Sequence, residues 1–266
     1  MHENQQSYER SRSEIVYLMY HELEMPRRKP CNAEPGYMRY VLQMADFVEQ
    51  MKNLQGAGWR GASVSEVLQT VRPKTVVVTF DDGCETDLLA AAPVLQLLKF
   101  GATFYTTCDW VGRRSFLSRQ QLRELSDLGF EIGSHSMSHS YLPDMNDAEL
   151  RHEVSDSKSW LEDVIGLPVK HFSCPGGSFD SRVKRAVQAA GYSSLATSRP
   201  RANSRATDVY ELGRAVVVQN TSIKQFEALY KGEGLWKMNL RAGINQSAKR
   251  ILGNTFYDRL RSAVLS

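Results

Sequence analysis

Short apolar segments alternate with longer helical patterns along most of this 266-residue chain. The clearest example is the β-branched run Lys74–Phe80, which precedes a helical pattern over Asp87–Lys99. The other predicted strands are 14–20, 102–107, 130–133, 169–173, 193–197 and 214–219, and the other predicted helices are 37–54, 118–128, 147–165 and 181–190. Strands that alternate with helices of this length predict an α/β fold with a parallel sheet. About seven such strands favour a barrel, in which the chemistry sits at the carboxyl ends of the strands.

Composition excludes several broad classes of protein. The 33 lysines and arginines barely exceed the 30 aspartates and glutamates, so we expect no nucleic-acid partner. The four cysteines are scattered without C-x-x-C pairing, which predicts reduced thiols rather than a zinc finger or a disulfide framework. Residues 1–14 are polar and no later stretch is long and apolar enough to span a bilayer, so we expect a cytoplasmic protein.

Two adjacent carboxylates, Asp81 and Asp82, follow the strand that ends at Phe80, and no positive charge stands beside them in the sequence. One carboxylate of such a pair can bind a metal cation while the other stays free as a base, as metal-assisted hydrolysis requires. The same residues before Gly83 are also typical of a simple turn after a buried strand. Residues farther along the chain have to decide between these two interpretations.

Two histidines four residues apart, His135 and His139, follow the predicted strand 130–133. We expect them to lie on one helical turn with their rings pointing the same way, which is the spacing of metal-binding histidines. Together with Asp82 they provide two imidazoles and one carboxylate. This set is typical of catalytic zinc with one position left open for water.

These two motifs carry a family resemblance. Thr79–Gly83 and Gly133–His139 resemble the first two motifs of the polysaccharide deacetylases, the NodB-homology family or carbohydrate esterase family four. Ala102–Tyr105, Leu161–Glu162 and Phe172–Asp180 resemble other segments of that family in the same order. The resemblance covers roughly residues 14–230, which we interpret as the deacetylase domain, after a polar tail over 1–13.

The resemblance implies a distorted (β/α) barrel of about seven strands and hydrolysis of N-acetyl groups on amino sugars. It also implies a divalent metal held by Asp82, His135 and His139. Zinc is the first candidate, and cobalt and nickel are alternatives because they accept the same ligands. Asp81 would then be the catalytic base, and a backbone N–H near Pro175 and Gly176 would stabilise the oxyanion of the substrate.

The sequence departs from the common family pattern at two places. Ser173 stands where many members have an arginine that orients the base, and Glu211–Arg214 lacks the late histidine that serves as general acid. The chain instead resembles permuted exopolysaccharide deacetylases. We therefore expect His21, at the end of the first strand, to be the general acid, and Arg214 to be a candidate partner for Asp81. A histidine hydrogen-bonded in a loop and a surface arginine are the alternatives.

The predicted activity is release of acetate from N-acetylated amino sugars in a polysaccharide, an oligosaccharide or a lipid-linked saccharide. Two alternatives stay open at the level of sequence. The missing arginine and late histidine are also compatible with a non-catalytic carbohydrate-binding relative, although an intact Asp81 argues against it. A deformylase or an amide hydrolase acting on a substrate other than a sugar would use the same ligands.

The C-terminal extension, residues 231–266, has its own pattern. The extension contains seven lysines and arginines, and apolar residues recur at every fourth position from Leu240 to Val264, which predicts a basic amphipathic helix. Such a helix could lie on an anionic membrane as a peripheral contact, or it could pack on the barrel.

Overall fold

The computed structural model describes residues 14–236 and 238–239, and these form an α/β fold with one large parallel sheet. The strands are β1 (Tyr17–Tyr20), β2 (Glu22–Leu23), β3 (Val41–Leu42), β4 (Arg60–Ala62), β5 (Thr75–Phe80), β6 (Thr103–Thr106), β7 (Glu131–Ser134), β8 (His171–Ser173), β9 (Ser194–Ala196) and β10 (Ala215–Val216). The helices are α1 (Pro35–Met38), α2 (Met44–Gly56), α3 (Val64–Gln69), α4 (Ala92–Leu98), α5 (Arg119–Asp127), α6 (Asp147–Arg151), α7 (Ser157–Ile165), α8 (Ser181–Ala189) and α9 (Ile223–Tyr230). Wider π turns, Asp87–Ala91 and His152–Asp156, lead into α4 and join α6 to α7.

The sheet is curled into a half-barrel. Its strands follow the order β10-β1-β5-β6-β7-β8-β9, and β4 pairs with β5. Every pair in this sheet is parallel. A bridge between Ala196 and Leu212 joins β9 to the segment that leads into β10. The predicted distorted barrel of about seven parallel strands is confirmed.

Alternate residues of the strands face two different environments. Side chains on the outer face pack under the helices, where Tyr20, Phe80 and Phe104 stack from strand to strand with ring centroids 5.2 and 5.0 Å apart. Side chains on the inner face, among them Val77 and Tyr105, form a smaller cluster. Because both faces are buried, β5 reads as a continuous apolar run rather than an alternating one.

The first predicted helix is shorter than the pattern over residues 37–54 indicated. Val41 and Leu42 are extended because β3 pairs in parallel with β2, and the backbone N–H of Glu24 donates to the Leu42 carbonyl at 2.7 Å. Helix α2 therefore begins only at Met44. This small second sheet holds the chain just beyond His21 against the segment that carries Tyr40.

The chain beyond α9 is described only in part. Leu235 is buried in the main core. The amphipathic stripe that the sequence predicts between Leu240 and Val264 lies outside the described residues. Among the described residues, no helix has both the length and the apolar composition needed to cross a membrane.

Candidate active site

Asp81 is held by an arginine that comes from far along the sequence. The guanidinium of Arg214, just before β10, donates from Nη1 to Oδ1 at 2.6 Å and from Nη2 to Oδ2 at 2.7 Å. Both side chains are buried. Burial acts to raise the pKa of Asp81, but the charge of Arg214, with His135 nearby, holds that pKa well below its usual range. Asp81 is therefore ionised at neutral pH and fixed in orientation.

All five N–H groups of Arg214 have acceptors. Besides the two bonds to Asp81, Nε donates to the Thr197 carbonyl at 3.0 Å, and Nη1 donates to Thr79 Oγ1 at 3.2 Å. Nη2 also donates to Ser173 Oγ at 2.7 Å, and that hydroxyl lies 3.3 Å from Asp81 Oδ2, to which it donates. Arg214 is thus fully buried and not at the surface. Ser173 occupies the place expected for an arginine, and its small side chain fits beside Arg214.

Asp82, the next residue, has the opposite environment. It adopts a left-handed backbone with φ 82°, and its side chain is buried. Its Oδ1 has no hydrogen-bond partner among the residues that the structure describes. Burial raises the pKa of Asp82 to about 6, and Asp81 adds to the rise while His21 opposes it. A buried carboxylate without a partner is costly unless a cation binds to it.

His135 presents one defined nitrogen to Asp82. Its backbone N–H donates to the Thr106 carbonyl at 2.9 Å, and its Nδ1 lies 2.8 Å from the Ser173 carbonyl. Because a carbonyl only accepts hydrogen bonds, Nδ1 carries the proton and Nε2 keeps a free lone pair. Nε2 lies 3.6 Å from Asp82 Oδ1. Burial lowers the pKa of His135 to about 3, so the ring is neutral and able to bind a metal.

His139 reaches the same point, although not from a helix. The predicted helical turn is wrong, because Ser136 and His139 have left-handed φ values of 68° and 65°. Side chains take the place of helical hydrogen bonds: Ser134 Oγ accepts from the Ser136 N–H at 3.2 Å, and Ser136 Oγ accepts from the His139 N–H at 3.0 Å. The His139 ring stacks on Trp110 at 4.7 Å, and its Nε2 lies 3.4 Å from Asp82 Oδ1.

Asp82, His135 and His139 fit a divalent metal. Their ligand atoms all lie within 4.8 Å of one another. The unpartnered carboxylate oxygen and the free Nε2 of His135 converge on one point. Burial also lowers the pKa of His139, so neither ring repels a cation at neutral pH. Two imidazoles and a carboxylate are the donors of catalytic zinc sites, which leave a position for water.

Comparison with known proteins finds similarity to one family over part of the chain. Residues 69–195 match the family model described as polysaccharide deacetylase. Over this part, which is just under half of the chain, the sequence is similar to the polysaccharide deacetylase family. The deacetylase homologue YxkH of Bacillus subtilis strain 168 is 28% identical over 189 residues, which are 69% of this chain and 68% of the relative.

Two further relatives come from Bacillus cereus. The peptidoglycan-N-acetylglucosamine deacetylase of that organism is 34% identical over 125 residues, which are 46% of this chain and 55% of the relative. The crystal structure of a polysaccharide deacetylase from Bacillus cereus superposes on this chain with a TM-score of 0.73 at 26% sequence identity. That superposition covers 82% of this chain and 69% of the other.

His21 lies at the same end of the barrel as the metal-ligand residues. Its ring stacks on Tyr40 with centroids 4.6 Å apart, and its Nδ1 is buried without a hydrogen-bond partner among the described residues. Burial lowers the pKa of His21, while the charges of Asp82 and Asp81 act to raise it. The ring is therefore neutral at rest, and the two carboxylates are near enough for their charges to act on its pKa.

The turn Pro175–Gly177 follows β8 at the same end. Gly176 has φ 60°, and a Cβ there would lie 3.1 Å from the Tyr141 ring. The N–H of Gly177 already donates to the Cys174 carbonyl at 2.8 Å. Since Pro175 has no N–H, the Gly176 N–H is the donor of this turn that the predicted oxyanion role would use.

Sequence reasoning missed three features of the site. Trp110, Tyr40 and Glu153 had no motif to mark them, since each acts by contact with a residue far away in sequence. Glu153 Oε2 accepts from the N–H groups of Met137 and Ser138 at 3.0 and 2.9 Å, which fixes the loop between the two histidines.

The cysteines are also less scattered than their spacing suggests. Cys31 and Cys84 meet with their sulfur atoms 2.9 Å apart.

Proposed function

We propose that this chain is a metal-dependent N-deacetylase of amino sugars in a saccharide chain. The observation that supports this most strongly is the division between two adjacent carboxylates. Asp81 is ionised and its negative charge is balanced by Arg214, whereas the nearest ring nitrogens to the Asp82 carboxylate belong to His135 and His139. Asp82, His135 and His139 would hold the metal, with zinc as the first candidate and cobalt or nickel as alternatives.

A divalent cation in such a site polarises a carbonyl group and lowers the pKa of water toward neutrality. Asp81 then accepts the proton of the attacking water. Arg214 contributes in two ways, because it fixes the carboxylate by a bidentate contact and keeps it ionised. An ionised carboxylate in a fixed orientation can accept this proton over the whole neutral range.

The N–H of Gly176 would stabilise the oxyanion that forms on the acetamide carbon. The left-handed turn leaves no side chain at this point, so the substrate can approach the backbone. Pro175 fixes the start of the turn. The Tyr141 ring, next to Gly176, closes one side of this path.

His21 would donate a proton to the amine that leaves. Its lowered pKa makes the protonated ring a stronger acid than an ordinary histidine, which favours donation. The ring must first gain a proton, and the negative charges of Asp81 and Asp82 favour that step. The products are acetate and a free amino sugar.

The substrate class rests on the relatives. The matching protein of Bacillus cereus is named for peptidoglycan N-acetylglucosamine. We extend only the N-acetylated amino sugar to this chain, as part of a polysaccharide, an oligosaccharide or a lipid-linked saccharide. A peripheral membrane contact through residues 231–266 stays a prediction.

Acetate release tests the proposed function. Wild-type protein, freed of metal and then supplied with zinc, cobalt or nickel, should release acetate from N-acetylglucosamine oligomers. Asp81→Asn should lower the rate by roughly 10²- to 10⁴-fold, the usual contribution of a general base. Asp163→Asn, a change at an exposed aspartate, is the matched control and should leave the rate unchanged. A wild type that releases no acetate, or an Asp81→Asn variant of normal rate, would contradict the proposal.

A parallel assay separates deacetylation from the alternative reactions. N-formylated oligomers and a simple N-acetylated amine without a sugar are supplied at equal concentration. The proposal expects the N-acetylated sugar to be the preferred substrate.

A further inference from the structure

A second polar cluster lies beside the candidate active site and takes no part in the proposed reaction. We call it the cysteine cluster, and it consists of Glu22, Cys31 and Cys84. Cys84 follows Gly83 directly and is buried, and Cys31 is half-buried on the loop between β2 and α1. Their sulfur atoms lie 2.9 Å apart although the residues are 53 positions apart in sequence.

The distance alone is compatible with two kinds of site. A disulfide has sulfur atoms about 2.05 Å apart, whereas two thiolates on one tetrahedral zinc lie roughly 3.8 Å apart, given Zn–S bonds of about 2.3 Å. The observed separation falls midway between these values. The charges around the sulfur atoms therefore decide which site fits.

A cationic side chain, Arg28, already lies against the cysteine cluster. Arg28 forms an ion pair with Glu22, and its Nη2 lies 3.4 Å from Cys31 Sγ. The same guanidinium pairs with Glu85 and donates to the Ser115 carbonyl at 2.6 Å. A divalent metal would have to displace this half-buried positive charge or sit beside it, which is unfavourable.

The Glu22 carboxylate, the third potential metal ligand of the cluster, already accepts hydrogen bonds. Both carboxylate oxygens of Glu22 lie 3.0 Å from the backbone nitrogen of Cys31, which donates to them. Glu22 thus holds the Cys31 backbone in place, and the contact brings the two thiols together rather than leaving a carboxylate free for a metal. Asp82 differs from Glu22 in this respect, because its Oδ1 has no hydrogen-bond partner among the described residues.

We propose that Cys31 and Cys84 form an intramolecular disulfide that ties the loop after β2 to the turn after β5. The reaction is exchange with a small disulfide such as oxidised glutathione. Cys31, the more exposed of the pair, attacks one sulfur of the small disulfide and releases one thiol. Cys84 then attacks the Cys31 sulfur and releases the second thiol. Two protein thiols and one small disulfide thus become one protein disulfide and two small thiols.

The cross-link restrains a segment that matters for the proposed function. Glu22 is the neighbour of His21, and Cys84 lies two residues beyond Asp82. The bond would fix the loop beside His21 relative to the turn that carries Asp82. In a reducing compartment the pair stays as thiols, and in an oxidising one it closes. The catalytic consequence rests on the proposed function, but the existence of the bond does not.

Peptide mapping tests the bond directly. The full chain is equilibrated with glutathione buffers of increasing oxidised fraction, alkylated and digested with trypsin without reduction. Trypsin places the four cysteines on four different peptides. We expect a linked peptide pair that contains Cys31 and Cys84, and we expect the oxidised protein to melt about 5–10 °C above the reduced one. Cys108→Ser should keep the linked pair, and Cys31→Ser should lose it together with the shift in melting temperature.

Two results would overturn the proposal. In the first, Cys31 and Cys84 stay open to alkylation across the whole series of buffers. In the second, the reduced protein binds two zinc ions per chain, and one of them is lost in Cys31→Ser, which would make the cluster a metal site. Neither readout depends on acetate release, so failure here is distinct from failure of the proposed deacetylase activity.

Discussion

Two groups of potential metal ligands lie beyond the carboxyl ends of β1 and β5, and they differ in how their charges are balanced. In the histidine cluster, which consists of Asp82, His135 and His139, the carboxylate oxygen has no hydrogen-bond partner among the described residues. In the cysteine cluster, Glu22 is paired with Arg28 and with the Cys31 backbone. Ligand type and proximity alone would mark both as metal sites. The presence of an internal cation distinguishes them, and only the histidine cluster is left needing a metal.

The largest expected effect is the loss of metal binding and of acetate release when a ligand of the histidine cluster is removed. His139→Ala should abolish tight metal binding and lower acetate release by about 10³-fold or more, because a metal supplies several kcal/mol of transition-state stabilisation. Metal content and initial rates measure this effect. His152→Ala changes an exposed histidine and is the control. A His139→Ala variant that keeps its metal and its rate would remove the distinction between the clusters.

Glu22→Gln should destabilise the protein by roughly 3 kcal/mol, because the buried Glu22 carboxylate is the closest partner of the half-buried Arg28. Urea unfolding under reducing conditions measures this change. Glu24→Gln, at an exposed glutamate nearby, is the matched control. Unchanged stability in Glu22→Gln would mean that Arg28 does not balance the cysteine cluster.

Asp82→Asn should stabilise the metal-free protein, whereas Glu22→Gln destabilises it. The pKa of Asp82 is raised from 3.8 to about 6 by burial, so the folded state binds this proton more tightly than the unfolded chain does. Stability of the metal-free protein therefore falls as pH rises through this interval. Removing the charge should raise the free energy of unfolding by roughly 3 kcal/mol at about pH 8 and change it little at about pH 4. Unfolding in the presence of a chelator measures the difference, and a loss of stability at pH 8 would contradict it.

The smallest expected effect is the pH dependence of metal binding. Protons compete with the metal for Asp82, whose pKa is about 6, whereas burial lowers the pKa values of His135 and His139. Metal affinity should fall about tenfold for each pH unit below about 6 and level off above it. Competition with a chromophoric chelator measures the affinity. A constant affinity between about pH 5 and 7 would show that Asp82 is not a ligand.

Much of the fold was predictable because its signals are local. The apolar run of β5 and the helical pattern over 118–128 are properties of short segments, and both appear in the structure. The start of α2 was missed because the pairing of β2 with β3 overrides the helical pattern around Tyr40. Pairing between distant strands leaves no mark in either segment alone.

The site was predictable where a motif carries it and unpredictable where contacts cross the sequence. The grouping of Asp82, His135 and His139 follows from residue types and order, although the helical turn proposed for the two histidines does not. The bidentate contact between Asp81 and Arg214 joins residues 133 positions apart. Arg214 was a candidate only because the expected arginine was missing at Ser173. The contact between Cys31 and Cys84 had no sequence signal at all.

The most direct test of this account is a titration of metal into metal-free protein, with acetate release followed at each step. The account predicts no release without metal and a linear rise that reaches a plateau at one zinc, cobalt or nickel ion per chain. The Cys31→Ser variant should reach its plateau at the same single equivalent. Release that is unaffected by a chelator, or a plateau that requires two ions per chain, would contradict the assignment of metal and chemistry to Asp82, His135 and His139.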